Sequence, residues 1–299
     1  MFFAGLCPFL KRRPFGTTEC RVAPASRRLY DSKPMTFLQQ LDRLPLYHHA
    51  VRWFRLRQLA ATFLHHFPRQ YILPGGVRYR CRGLEAILLS DEIFNRQVYL
   101  KAIDANKVRT FADLGCNVGY FAVLMASLSG RRDFQGLEID ANPEMVEEAR
   151  WHLVANGLHK IIPLPGLVGA EKAGENADFY ILPSNAGSSQ YPIYEPGKPP
   201  KGRWKKISAP NLNLESAWLQ NVGDVRCHIL KVDIEGSEKM LFQNEQKFLQ
   251  RVDAIILEWH KWIVPRETID SVLAEQGFRL AEILEELYQT GIAWYVRKE

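Results

Sequence analysis

Apolar residues recur at helical spacing from Leu46 to Phe67, where Leu46, Ala50, Trp53, Leu56, Ala60, Phe63 and Phe67 form a stripe. Arg52, Arg55, Arg57, His48, His65 and His66 lie mainly off it, so the pattern predicts an amphipathic basic helix. The two His-His pairs are adjacent in sequence and cannot converge on one metal from a helix. After the turn Pro74-Gly75-Gly76, Val77, Tyr79 and Cys81 alternate with Arg78, Arg80 and Arg82, which predicts a half-buried strand with a cationic outer face. Residues 91–105 read as a helix. From Val108 the rhythm becomes strand, glycine turn, helix, strand. Strands are predicted near 109–114, 134–139, 160–164, 227–233 and 253–258, with helices near 118–129, 142–156, 212–221, 237–249 and 265–276. A closing pair near 278–284 and 291–297 has a short connection and predicts an antiparallel hairpin at the sheet edge. This is an α/β fold, a parallel sheet with crossover helices. Residues 183–210 break the rhythm with six prolines and five Lys+Arg, the composition of a lid-like insertion, a binding loop or disorder.

Of the 299 residues, 46% are hydrophobic and 24% charged, enough for a globular core and incompatible with collagen, a disulfide-rich toxin or a membrane channel. The net charge of +6 hides a division. Residues 1–82 carry 15 Lys+Arg against three acids (Glu19, Asp31, Asp42), or +12, and the remainder carries 24 against 30, or −6. The expected organisation is a basic tail over 1–34, a basic helix and strand cap over 35–84, and a main domain over 85–299. The tail reads as disorder or a misassigned start upstream of Met35, as an organellar presequence, or as a functional basic arm. Five scattered cysteines form no CxxC and no zinc spacing, which fits a reducing, cytoplasmic setting. The 46–66 helix offers a solvated cationic cap or a surface for anionic lipid or a phosphate-bearing substrate, hence a peripheral membrane contact.

The first strand of the α/β rhythm runs into Asp113-Leu-Gly115-Cys116-Asn117-Val-Gly119-Tyr-Phe, where a helix begins. Gly115 allows a tight turn and close approach to a ligand, Asn117 tolerates left-handed geometry, and Gly119 lets the helix sit close. About twenty residues on stand Glu138 and Asp140, and Glu138 at the end of the second strand is placed to accept both hydroxyls of a ribose. The glycine pattern is not that of a dinucleotide site, and no Walker loop occurs. Asp113 would repel a pyrophosphate and suit the ammonium of an amino acid, so S-adenosylmethionine fits best.

A second acidic group follows in Lys231-Val-Asp233-Ile-Glu235-Gly236-Ser-Glu238 and in Glu258-Trp-His260, at strand ends that share one crevice with the glycine loop in an open parallel sheet. Together, D-L-G-C-N-V-G-Y-F, E-I-D-A-N-P, K-V-D-I-E-G-S-E and L-E-W-H resemble FkbM-type S-adenosylmethionine-dependent methyltransferases over about 85–297. Ser90 to Tyr99 and Asn185 to Ser189 resemble weaker features of that family. The resemblance implies a Rossmann-like class I methyltransferase, with a seven-stranded mostly parallel sheet and an antiparallel last strand, here carrying an N-terminal helical and strand extension. It also implies methyl transfer to a hydroxyl of a sugar, glycan or polyketide-like product. By motif, Asp113, Gly115, Cys116, Asn117, Gly119, Glu138 and Asp140 would hold the cofactor, with Asp233 at its methionine end.

The electrophilic sulfonium leaves the protein to align an oxygen nucleophile and remove its proton. His260 is the first candidate base, with Asp233, Glu235 and Glu258 as the other catalytic candidates. A divalent metal on Asp233, Glu235 and Glu258 is an alternative way to acidify the hydroxyl. Glu238 also reads as a first-turn helix acid and Lys231 as the partner of an acid. Ser188, Ser189 and Trp204 are the candidate substrate contacts, among aromatic and basic residues suited to a sugar ring and a nearby phosphate. Nucleic acid is not the expected partner, because Asp-Ile-Glu-Gly stands where amino-methylating enzymes carry D/N-P-P-Y and the main domain is acidic. Protein methylation and a non-catalytic adaptor retaining the fold are the other rival readings, and oligomeric state is not readable.

Overall fold

A computed structural model describes residues 62–169, 174–182, 205–261, 263–288 and 290–298. The tail, most of the 46–67 helix, Ser188, Ser189 and Trp204 lie outside the described residues. Residues 62–66 are helical, but Phe63 and Phe67 of the proposed apolar stripe are 62% and 66% exposed while Leu64 enters the core. At this end of the helix the buried face is therefore not the predicted one.

A hairpin opens the described chain, β1 (Arg69–Leu73) with β2 (Val77–Cys81), and the predicted alternation holds in β2, where Val77, Tyr79 and Cys81 are buried. Its cationic face is not wholly solvated. Arg80 Nε donates to Glu148 Oε1 at 2.6 Å, and its guanidinium lies 4.1 Å from the Trp151 ring. Helix α1 (Leu84–Ser90) follows, then a π-type turn over Asp91–Arg96 and a 3-10 turn over Leu100–Ala102, in place of the single helix expected over 91–105. Phe94 packs on Tyr79 at 4.6 Å and Tyr99 on Phe121 at 6.0 Å. Five residues apart on a straight helix these rings would diverge by about 140°, so the chain breaks between them, at Gln97 with φ 58°.

The central sheet contains β3 (Thr110–Leu114), β4 (Gln135–Asp140), β5 (Ile161–Pro165), β9 (Cys227–Val232), β10 (Val252–His260), β11 (Phe278–Glu286) and β12 (Thr290–Arg297) in the order β11-β12-β10-β9-β3-β4-β5. β3, β4, β5, β9 and β10 are parallel, while β12 runs antiparallel to both β10 and β11. The seven-stranded sheet with a reversed last strand is thus present, and the closing hairpin inserts that last strand inside the edge.

Helices cover both faces. α2 (Tyr120–Ser129), α3 (Pro143–Ala155) and the hairpin share a core with Phe111, Ile161, Ile229 and Ile256. α4 (Leu214–Asn221), α5 (Glu238–Asn244), α6 (Gln246–Leu249) and α7 (Arg266–Glu275) pack against Leu114, Leu137, Leu230 and Ile255. Alternate strand residues feed the two cores because successive side chains point to opposite faces. α5 and α6 replace the single helix expected over 237–249. Glu245 departs from helical geometry between them, and its Oε1 accepts from the Leu214 amide at 3.2 Å.

A small second sheet, not predicted from the sequence, follows β5. β6 (Leu167–Val168), β7 (Asn176–Ile181) and β8 (Lys205–Leu212) line up as β6-β8-β7, so the irregular insertion expected to extend to 210 gives way to a strand by Lys205. Ala141, Leu167, Phe179 and Ala209 form its core beside the end of β4. No helix among the described residues is long and apolar enough to cross a membrane.

Candidate active site

The carboxyl ends of β3, β4, β5 and β9 surround one open cleft. The loop after β3 contributes Gly115 and Asn117, and the end of β4 contributes Ile139, Asp140 and Ala141. Gly166, Leu167, Val168 and Phe179 form an apolar wall, and Asp233, Ile234, Glu235 and Ser237 follow β9. The apolar wall escaped the sequence reading; its only signal was a position just past a predicted strand, and Phe179 had none.

Backbone geometry explains the loop. Gly115 has φ 74°, and a Cβ placed there would stand 1.7 Å from the Asp233 carbonyl oxygen, so only glycine lets the loop close against the end of β9. Asn117 is left-handed at φ 49° and its amide donates to Asp140 Oδ2 at 2.9 Å. The Asn142 amide donates to Asp140 Oδ1 at 2.8 Å. Burial lifts Asp140 to about 6 against those two hydrogen bonds.

Glu138 does not line the cleft. It is fully buried beneath the start of α2, its Oε2 2.9 Å from where a Gly119 Cβ would be, and neither carboxylate oxygen has a hydrogen-bond partner. Burial raises its pKa well above the ordinary value, with Asp113 adding to the rise. The acid that opens onto the cleft is therefore Asp140, two residues on along the same strand face. Asp113 is also enclosed. Lys231 Nζ donates to its Oδ1 at 3.0 Å while Oδ2 is unpaired, and burial raises its pKa against the pull of Lys231. Cys116 is buried below the loop, its thiol pushed up by burial.

At the other end the turn after β9 places Glu235 at φ 51° and Gly236 at φ 104°, a left-handed pair that swings Glu235 toward β10. His260 Nε2 lies 3.0 Å from Glu235 Oε2, and Nδ1 lies 2.9 Å from Glu238 Oε1, which also accepts the Gly236 amide at 2.9 Å. Burial alone would lower the His260 pKa, but the two carboxylates outweigh it and push it up to about 12. The sequence pattern reads His260 as the base; here both of its ring nitrogens face carboxylates. Asp233 lines the cleft 4.0 Å from Lys231 and is raised by burial to about 7, against Lys231 and with Glu235 adding to the rise. Glu258 is raised well above its ordinary value by burial and by Asp233 and Glu92, but it stands outside the donor set formed by Asp233, Glu235 and His260. The structure therefore replaces Glu258 with His260 in the candidate metal trio. Glu92, on the π-type turn, is an acid that the sequence reading did not single out.

The family model for the methyltransferase FkbM domain matches residues 113–283, more than half of the chain. The chain belongs to the FkbM methyltransferase domain family. It is an S-adenosylmethionine-dependent methyltransferase of Rossmann-like class I architecture. Among solved structures, it is similar to a SAM-dependent methyltransferase from Aquifex aeolicus at 13% identity, covering 70% of this chain and 92% of that one with a TM-score of 0.42. It is also similar to Aeropyrum pernix fibrillarin in complex with S-adenosyl-L-methionine, at 11% identity, 78% and 84% coverage and a TM-score of 0.44. Comparison with curated proteins finds no match.

Proposed function

We propose that this methyltransferase methylates a hydroxyl oxygen of a small sugar- or polyketide-like acceptor. The observation that supports the reading best is the charge of the cleft. Its described lining includes Asp140, Asp233 and Glu235 and no Lys or Arg. Such a wall favours a cationic cofactor beside an uncharged nucleophile and disfavours a phosphodiester track.

The residues fit S-adenosylmethionine. Asp140, held by the amides of Asn117 and Asn142, would accept the ribose hydroxyls, and Ile139, Leu167, Val168 and Phe179 would flank the adenine. When bound, the cofactor supplies an electrophilic methyl on a sulfonium. The acids Asp233 and Glu235 would balance that charge and the cofactor's amino group. Asp233 would orient the acceptor hydroxyl and take its proton, leaving the oxygen to the methyl that the bound cofactor would supply.

Calorimetric titration with S-adenosylmethionine, followed by labelled-methyl transfer to sugar, polyketide, RNA and protein acceptors, tests the proposal. One cofactor per chain and label on hydroxylated small molecules are expected. Asp233→Ala lowers transfer by about 100-fold or more while cofactor affinity changes far less. Label on RNA or protein alone overturns the acceptor assignment, and unchanged turnover in the variant overturns the placement of the reacting end.

A further inference from the structure

One oxygen each of Asp233 and Glu235 and one nitrogen of His260 lie within 4.8 Å of one another. The separation of 3.0 Å between His260 Nε2 and Glu235 Oε2 is close to what two ligand atoms at right angles take around one ion, each roughly 2.1 Å from it. The opposite nitrogen, Nδ1, is anchored by Glu238, which is almost fully buried. A carboxylate on the remote nitrogen is what orients an imidazole as a metal ligand and raises its basicity. Asp233 and Glu235 also line the cleft, so positions left open on an ion between them face the space where an acceptor enters.

We propose that Asp233, Glu235 and Nε2 of His260 form a divalent transition-metal site, with Glu238 as the positioning residue for the imidazole. A nitrogen donor beside two carboxylates favours Mn²⁺ or Zn²⁺ over Mg²⁺. Metal binding requires Nε2 without its proton, so any proton held there is released to solvent. The site deepens the hydroxyl-methylation reading and rests on it for its role. The ion draws the acceptor oxygen in and acidifies its O–H; the proton passes to the Asp233 oxygen that is not on the ion. The freed oxygen pair then forms the bond to the methyl carbon, and the carbon–sulfur pair leaves with sulfur as a neutral thioether.

The test uses the full chain stripped of metal, with Mn²⁺, Zn²⁺ and Mg²⁺ titrated separately from S-adenosylmethionine. The expected result is one Mn²⁺ or Zn²⁺ per chain, with affinity at least about tenfold weaker in Glu235→Gln and in His260→Gln when both retain the wild-type circular dichroism. Wild-type protein gives a second readout that needs no variant: paramagnetic Mn²⁺ broadens the His260 imidazole resonances before those of His152. In the transfer assay, chelation lowers turnover at least tenfold and Mn²⁺ restores it. No stoichiometric binding up to millimolar metal, unchanged binding in Glu235→Gln, or broadening that spares His260 overturns the site. Cofactor binding without metal binding defeats this proposal and leaves the methyltransferase reading intact; metal binding without cofactor binding does the reverse.

Discussion

Two buried histidines among the described residues have pKa values pushed in opposite directions. His152, on α3, is fully buried between main-chain groups: Nε2 accepts from the Arg80 amide at 2.9 Å, and Nδ1 lies 2.8 Å from the Val118 carbonyl. Burial lowers its pKa to about 4, so the ring is neutral, with one donor and one acceptor. His260, almost as buried, faces two carboxylates that push its pKa up to about 12. Desolvation pushes both rings the same way, and the partners decide. The neutral ring ties the N-terminal hairpin to the glycine loop, whereas the charged ring offsets the acids at the mouth of β9 and β10.

The largest test of this contrast is His260→Leu, which leaves Glu235 and the buried Glu238 facing each other without a cation. Urea unfolding at pH 7 in chelator is expected to show a loss of about 3–5 kcal/mol, the range for breaking a buried ion pair. A loss below about 1 kcal/mol would mean that the ring carries no charge.

The pH test of His152 comes next. Its folded pKa lies below the unfolded value of about 6.5, so the stability it contributes is complete above that value and is lost as pH falls through about 4. That loss amounts to about 3 kcal/mol in unfolding experiments between pH 7 and pH 4. His152→Gln, which can keep one donor and one acceptor, is expected to flatten that portion of the profile; an unchanged profile would assign the acid sensitivity elsewhere.

The smallest effects separate the two acids of β4. Asp140→Asn is expected to weaken S-adenosylmethionine by about tenfold, as a charge-assisted contact to a hydroxyl is lost. Glu138→Gln is expected to change that affinity less than about threefold. Because the folded pKa of Glu138 is raised, ionising it costs stability as pH rises, so the amide should also be neutral or slightly stabilising at pH 8. The reverse ranking of affinities would return Glu138 to the ribose.

Much of the catalytic domain was legible in the chain. Apolar runs and glycine turns located the parallel strands of the central sheet, since a strand buried on both faces reads as a continuous apolar run, and the short connection located the closing hairpin. The acids at the ends of β4, β9 and β10 were visible for the same reason: crossover topology brings strand ends to one crevice. The π-type turn after α1 was not legible, because it depends on where Tyr79 and Phe121 wait for Phe94 and Tyr99. β7 and β8 escaped because β7 pairs with β8 across a segment whose prolines dominate the pattern, and the other partner of β8 is the two-residue β6.

The sequence alone determined the residue types at the strand ends and, through them, the family and its cofactor. Only the tertiary structure decided their states. Glu138 and Asp140 differ by two positions on one strand, yet one is sealed under α2 and the other opens onto the cleft. His260 reads in sequence as a residue that titrates near neutrality, and Glu235 and Glu238 make it a cation. Periodicity and spacing are local properties of the chain, whereas a pKa depends on desolvation and charges brought together from distant segments, which only folding supplies.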